Sequence, residues 1–159
     1  MSAMALRFCP LRPEDLAWVL PIERQSHPMP WSADHFPTSG KEEGQQAVTL
    51  WHDATPIGYW VGLFVLDEAH LLNLTVALPW RQQGYGRQLL SHFLDESQRR
   101  ACRSAWLEVR SDNAPAIALY QALGFQTQAI RRRYYRDAAG RYADALVMSL
   151  TIVPTDVAP

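Results

Sequence analysis

The sequence predicts an α/β (α+β) fold with one mixed, mostly antiparallel sheet and helices on both of its faces. Strand-like runs fill residues 45–78, a helical period follows at 84–101, and two further strand-like runs flank "RDAAGR". The predicted element order is β-α-α-β-β-β-α-β-α-β-β. Because the chain has 159 residues and no linker-like segment, we expect one domain over residues 1–153 and a loose tail at 154–159.

The first quarter of the chain predicts a strand and two helices. Residues 5–10 form the strand, and "RPEDLAWVLPIERQS" reads as a helix that Pro13 opens. Pro21 should kink or end this helix, because proline lacks the amide hydrogen and clashes with the preceding turn. "WSADHF" predicts a short second helix with Ser32 as its N-cap.

Three strands are predicted next. "QQAVTLW" and "PIGYWVGLFVL" are separated by the turn-like "HDATP", and the third strand spans 71–78 up to Pro79. Strict alternation in this third strand predicts one face formed by Leu72, Leu74, Val76 and Leu78, and another formed by Leu71, Asn73, Thr75 and Ala77.

The second half alternates helices and strands. A helix at about 84–101 has a buried stripe of Leu89, Leu90, Phe93 and Leu94. "SAWLEVR" predicts a strand, after which Asn113 caps a helix that Gly124 closes. "FQTQAIRRRYY" and "YADALVMSLTIV" predict a closing hairpin.

Composition restricts the possible classes of function. Charged residues make up 19% and the net charge is −1, so no global basic field attracts nucleic acid or membrane. Cys9 and Cys102 lie far apart in sequence, the five histidines lack metal-site spacing, and no segment reads as a signal peptide or membrane span. We therefore expect a cytoplasmic enzyme or binding domain without a metal.

The corner "RQQGYGR" at 81–87 joins a strand to a helix. Unpaired amides and the helix dipole favour phosphate at such a helix start, and Gly84 and Gly86 leave room for close approach. It lacks the GK[ST] of a Walker loop and the third glycine of a dinucleotide fingerprint. A tight turn that uses glycine for steric reasons alone explains the corner equally well.

Longer motifs carry a family resemblance. "RQQGYGRQLL" followed by "WLEVRSDNAPAIALYQALGF" resembles the GCN5-related N-acetyltransferase (GNAT) family, and the likeness extends over nearly the whole chain. Within it, "MPWS", "WLEVRSDNAPAIALY" and "IRRRYYRDAAGR" resemble enzymes that acetylate the N-terminal alanine of a ribosomal protein. At 143–144, Ala-Asp stands where that resemblance leads us to expect Glu-Asp.

The resemblance implies acetyl-CoA as the acyl donor and a set of residues that bind it. The pyrophosphate loop comprises Arg81, Gln82, Gln83, Gly84, Tyr85, Gly86 and Arg87. The backbone of Leu74, Thr75 and Val76 would face the donor in a slot between diverging strands, and Asn113 would contact the coenzyme. If that strand had neighbours on both sides, it would have no backbone groups to spare.

Two residues are candidates for catalysis. Glu108 lies in the apolar strand "AWLEVR", where a carboxylate needs a partner or a function; a surface pair with Arg110 is the alternative. The resemblance implies that Glu108 is the base, directly or through water, and that Tyr120 protonates the departing thiolate. From its helical position alone, Tyr120 is a core aromatic residue, and only the resemblance favours the catalytic role.

The acceptor side allows three interpretations. "RRRYY" at 131–135 is an RNA-contacting patch, a solvated face of the hairpin, or part of a groove in which Tyr134 and Tyr135 lie opposite Trp31 and receive a peptide N-terminus. The resemblance implies the third. A different amine acceptor, or a non-catalytic acyl-CoA-binding or ribosome-associated module, stays open as an alternative function.

Overall fold

The computed structural model describes residues 5–38 and 43–153; the predicted tail at 154–159 lies outside them. In this part of the chain, seven strands form one sheet in the order β1-β2-β3-β4-β5-β7-β6. Only the pair of β4 and β5 is parallel within it, so the predicted mixed, mostly antiparallel sheet is confirmed. The strands are β1 (Leu6–Pro10), β2 (Gln45–His52), β3 (Thr55–Val65), β4 (Glu68–Val76), β5 (Ser104–Arg110), β6 (Gln126–Arg136) and β7 (Tyr142–Thr151).

Helices α1 (Leu16–Ser26), α2 (Tyr85–Arg99) and α3 (Ala114–Ala122) cover the sheet. One buried cluster, which includes Leu89, Phe93 and Tyr120, packs α2 and α3 on one face. Another, which includes Val19 and Tyr59, packs α1 on the opposite face. Helices on both faces are therefore confirmed. None of the helices in the described residues is long and apolar enough to cross a membrane.

Two predictions for the first quarter of the chain differ from the structure. Pro21, where the sequence predicts a kink or an end, does not end α1, which continues to Ser26 because its buried face includes residues on both sides of the proline. The second predicted helix is only a single 3-10 turn, Ala33–His35, since Pro30 and Pro37 leave little room for a longer helix. Ser32 does occupy the N-cap position of that turn.

A β-bulge in β4 overturns the predicted alternation. Val61 of β3 pairs with Asn73 and Gly62 pairs with Leu71, so Leu72 is an extra residue in the ladder. The bulge shifts the period of two, and Leu71 therefore joins the same core as Leu74 and Val76. The regular strand ends at Val76, and a 3-10 turn, Leu78–Trp80, follows it.

The sheet splits directly after this bulge. Strands β4 and β5 pair from Glu68↔Ser104 to Leu71↔Leu107, and their pairing ends there. Residues 72–76 then have β3 on one side and an opening on the other. The predicted divergence of these two strands is thus present.

Candidate functional site

A cleft of about 930 Å³ occupies the split between β4 and β5. The end of α1, the start of α2 and the first turns of α3 also line it. It brings together most of the predicted site residues: Trp31, Leu74, Thr75, Val76, Arg81, Gln82, Gly84, Gly86, Arg87, Glu108, Asn113, Tyr120 and Tyr135. Residues predicted from separate parts of the sequence therefore share one opening.

The corner at 81–87 presents free amides to this cleft. Gly84 is the N-cap of α2 with a left-handed backbone (φ 89°), and Gln88 is the first helical residue whose N–H reaches a carbonyl, that of Gly84, at 3.2 Å. Within the described residues, the amides of 82–87 have no hydrogen-bond partner. Such a row of donors at a helix start is suited to bind an anion.

The two glycines of the corner have different roles. A Cβ added to Gly84 would meet no protein atom within 4 Å, so its side of the corner is open space, while its positive φ disfavours other residues. A Cβ on Gly86 would lie 3.3 Å from Cδ2 of Leu119, so this glycine lets α2 approach α3. Close packing of the helices therefore explains the glycine at position 86. At position 84 the glycine instead leaves the space in front of the amides open.

The two arginines also differ. The Arg81 guanidinium donates to the carbonyl of Val76 at 2.8 Å and to Oγ of Ser26 at 2.7 Å, so it ties the end of α1 to the end of β4. This contact occupies one backbone acceptor of the 74–76 segment. Arg87 is exposed and has no ion pair among the described residues. Its charge is therefore available to a ligand.

Two side chains of the predicted loop lie outside the cleft lining. The Gln83 amide donates to the carbonyl of Pro79 at 3.1 Å and so supports the turn. The ring of Tyr85 packs edge-on against Trp80, with centroids 5.9 Å apart. Neither residue lines the cleft, and each contributes only an unpaired backbone amide to the corner.

Glu108 lies on the opposite wall and pairs across strands. Its Oε1 is 3.2 Å from Nε of Arg131, and its side chain is 31% exposed. The alternative pairing with Arg110 is wrong, since Arg110 instead binds Asp112 at 3.1 Å. An ion pair this exposed contributes little stability, so the carboxylate remains available to water and to a ligand.

Tyr120 combines burial with access to the cleft. It is 8% exposed and packs edge-on against Phe125, so the interpretation as a core aromatic is confirmed, and the catalytic role stays a prediction. Burial, and then the neighbouring Tyr135, raise the pKa of Tyr120, which keeps the phenol protonated. Its hydroxyl has no partner in the described part of the chain.

Asn113 and the hairpin complete the walls. Asn113 Oδ1 accepts from the amide of Ala116 at 3.3 Å, which confirms the cap, and the residue also lines the cleft. Tyr134 instead lines a second cavity of about 580 Å³, which shares Glu108 and Tyr135 with the cleft. Burial, and then Glu108, raise the pKa of Tyr135 to about 12.

Sequence reasoning missed a buried polar group behind β4. Glu23 is 1% exposed, and its Oε1 accepts from the Tyr59 hydroxyl at 2.7 Å and from Nδ2 of Asn73 at 3.0 Å. His27 Nε2 lies 2.7 Å from Oγ1 of Thr75. One signal was available: an acid on the apolar stripe of α1, four residues after the buried Val19.

Comparison with known proteins agrees with this geometry. The acetyltransferase (GNAT) family model matches residues 14–125. A [ribosomal protein bS18]-alanine N-acetyltransferase of Escherichia coli K12 is 41% identical over 142 residues, which cover 89% of this chain and 95% of that protein. The crystal structure of an Escherichia coli ribosomal-protein-S18-alanine N-acetyltransferase superposes with a TM-score of 0.84 at 36% identity, covering 98% of this chain and all of that one.

The fold likeness reaches further. Arabidopsis thaliana NAA60 in complex with acetyl-CoA has a TM-score of 0.80 at 20% identity, covering 93% of this chain and 99% of that one. The match to the family model spans more than half of the sequence, and it includes the corner and both catalytic candidates. The chain therefore belongs to the GNAT family of acetyltransferases and is an acetyl-CoA-dependent N-acetyltransferase.

Proposed function

We propose that this enzyme transfers an acetyl group from acetyl-CoA to the N-terminal alanine of a small-subunit ribosomal protein. The observation that carries the proposal is the cleft in which free amides at a helix start lie in one opening with Glu108 and Tyr120. The name of the Escherichia coli relative supports this choice of acceptor. We further propose that the enzyme acts in the cytoplasm, where such an acceptor is made.

The coenzyme is held at two places. Amides 82–87 and Arg87 bind the pyrophosphate, while Arg81 acts mainly by holding the corner in place. The pantetheine arm lies in the split along Leu74, Thr75 and Val76. Apart from the Val76 carbonyl, which Arg81 occupies, this edge offers backbone groups to the arm and to the thioester oxygen. Asn113 borders this path from the start of α3.

Direct attack in a ternary complex uses the two catalytic candidates in turn. An N-terminal ammonium has a pKa of about 7.7–8.0, so it must lose a proton before its nitrogen attacks. Glu108 accepts that proton, directly or through a water molecule, because its carboxylate is open to the cleft. Tyr120 then gives its proton to the leaving sulfur, and its raised pKa keeps that proton in place until then.

The acceptor enters on the hairpin side. Trp31 and Tyr135 line the cleft, and Tyr134 extends the same wall into the adjoining cavity. The amide of Arg133 donates to Oδ1 of Asp144 at 2.8 Å, which stabilises the irregular backbone of β6 beside these tyrosines. Asp144 thus keeps a structural role although Ala143 replaces the expected glutamate.

Mass spectrometry of N-terminal peptides tests the acceptor. We expect acetyl-CoA and this enzyme to add one acetyl group to an Ala-initiated ribosomal peptide, and to modify matched Ser- and Met-initiated peptides at least about tenfold more slowly. Faster acetylation of a small amine or of another N-terminus would mean that the enzyme is an acetyltransferase with a different acceptor. Binding of acetyl-CoA without turnover on any of these peptides would contradict the proposed acceptor.

The exposed hairpin supports a second partner near the ribosome. Arg132, Arg133 and Arg136 have no acidic partner among the described residues, and Arg133 stacks over Tyr142 at 4.4 Å. Free guanidinium groups beside an aromatic ring favour contact with RNA. We expect replacement of the three arginines by glutamine to weaken filter binding to ribosomal RNA and to reduce its salt dependence. Equal binding by both proteins would leave the solvated-face interpretation.

A further inference from the structure

The buried carboxylate of Glu23 connects Trp31, on the acceptor side of the cleft, to Asn73, which follows the β-bulge in β4. Besides the Tyr59 and Asn73 contacts, Glu23 Oε2 accepts from the amide of Trp31 at 3.0 Å. These three donors are neutral, and the Glu23 side chain is 1% exposed. Burying a carboxylate with only neutral donors costs free energy, and such groups are common at functional sites.

The hydrogen bonds around His27 assign its tautomer. Nδ2 of Asn73 donates to Glu23, so Oδ1 is the atom that Thr75 meets, and the Thr75 hydroxyl donates to it at 2.7 Å. The same hydroxyl oxygen must therefore accept from His27 Nε2 at 2.7 Å. A neutral His27 ring then carries its proton on Nε2 and a free electron pair on Nδ1.

His27 also has access to the reaction and a buried counter-charge. It lines the same cleft as Glu108 and Tyr120, and its side chain is 34% exposed. Its Nε2 lies 3.7 Å from Oε1 of Glu23. This resembles the general arrangement in which a buried carboxylate orients an imidazole and stabilises the imidazolium that forms.

The proton balance of the reaction calls for two acceptors. An ammonium that becomes an amide loses two protons from nitrogen: one before attack, and one from the tetrahedral adduct as the N–C bond forms and the C–S bond breaks. Tyr120 supplies one proton to sulfur and recovers one afterwards, so one proton leaves to water. Glu108 accounts for one acceptor, and the second is either the Tyr120 phenolate that remains after sulfur is protonated or another base in the cleft.

We propose that His27 is this second proton acceptor, which takes a proton from the acceptor nitrogen at Nδ1 while Thr75 and Glu23 hold its ring and stabilise its charge. The inference rests on the proposed acetyl transfer. Glu108 on β5 and His27 at the end of α1 then lie on opposite walls of the cleft. Glu23, Asn73 and Thr75 are positioning residues.

Electrostatics keeps His27 ready to accept. Burial lowers the pKa of the imidazole, Glu23 opposes that shift, and Arg81 adds to it. The pKa therefore stays below its ordinary value of about 6.5, and the ring is neutral at neutral pH. The pKa of His27 is lower in the folded protein than in the unfolded chain. Its contribution to the free energy of unfolding is therefore complete above pH 6.5 and is lost as the pH falls through the folded pKa.

His27→Gln is the test, because glutamine can still donate an N–H to Thr75 but offers no basic nitrogen. We expect kcat to fall about 10²-fold, with acetyl-CoA affinity and melting temperature at pH 7.5 unchanged. The acidic side of the wild-type kcat profile should contain a step that belongs to His27 below pH 6.5, and the variant should lose that step while the dependence on the substrate ammonium remains. Added imidazoles should restore part of the kcat of His27→Ala, with rates that follow their basicity.

The outcomes separate the two proposals. A wild type that acetylates peptides and a His27→Gln variant with kcat within about threefold of it would overturn the role of His27 alone. A lowered kcat with the step below pH 6.5 retained, and no rescue that depends on basicity, would also overturn it, because a packing role predicts that result. No peptide turnover by the wild type would instead contradict the proposed function.

Discussion

The Glu108→Gln variant is expected to acetylate its peptide about 10²–10⁴-fold more slowly than the wild type at saturating substrate. Glutamine has almost the same shape and can still accept from Nε of Arg131, which lies 3.2 Å from Oε1 in the native enzyme. The change therefore removes the proton acceptor with little effect on packing. Steady-state kinetics gives kcat, and calorimetry checks that acetyl-CoA binding is unchanged.

Arg131→Gln is the matched control for this variant. It breaks the same ion pair from the other side but leaves the carboxylate in place, so the reduction in kcat should be less than about tenfold. Since the pair is more than a third exposed on the Arg131 side, neither variant should lose much stability. Wild-type turnover by Glu108→Gln would dismiss Glu108 as the base. Equal losses in both variants would assign the effect to the ion pair.

Local signals predicted much of this site. The apolar and polar residues of "SAWLEVR" alternate as the strand requires, and β5 spans these residues with Ala105, Leu107 and Val109 buried. Asn113, Pro115 and Gly124 mark the limits of α3, because caps and breakers act within a few residues. The corner was visible for the same reason, since its glycines and helix start are adjacent in sequence.

Long-range contacts were beyond the reach of such signals. Glu23 accepts hydrogen bonds from Tyr59 and Asn73, which lie 36 and 50 residues further along the sequence. The periodicity of α1 predicts that Glu23 is buried but not which strand it contacts. The bulge at Leu72 arises from pairing with β3, and beyond it Asn73 and Thr75 contact Glu23 and His27 at the end of α1. The sequence likewise predicted Arg81 only as a pyrophosphate ligand. Its hydrogen bond to Ser26 was not foreseen, because Ser26 lies on α1, far away in the sequence.

Replacing Gly84 by valine is expected to abolish measurable acetyl-CoA binding, which means at least about a 100-fold rise in Kd by calorimetry. The residue has φ 89°, where a β-branched side chain is strained, and the new side chain would project into space free of protein atoms within 4 Å. It would therefore stand between the amides of the corner and a pyrophosphate. The Gly84→Val, Gly86→Val double variant should bind no better.

Two single variants separate blockage of the ligand from damage to the fold. Asparagine tolerates the left-handed backbone, so Gly84→Asn should retain the melting temperature and still weaken binding through its side chain. Gly86→Ala places a Cβ 3.3 Å from Leu119, so it should lower the melting temperature with a smaller effect on Kd. If Gly84→Val and Gly84→Asn both bound acetyl-CoA as the wild type does, the corner would be only a turn. If acetyl-CoA affinity fell only in the variants whose melting temperature also fell, the corner would again be only a turn. Loss of binding would then follow from damage to the fold and not from blockage of the amides.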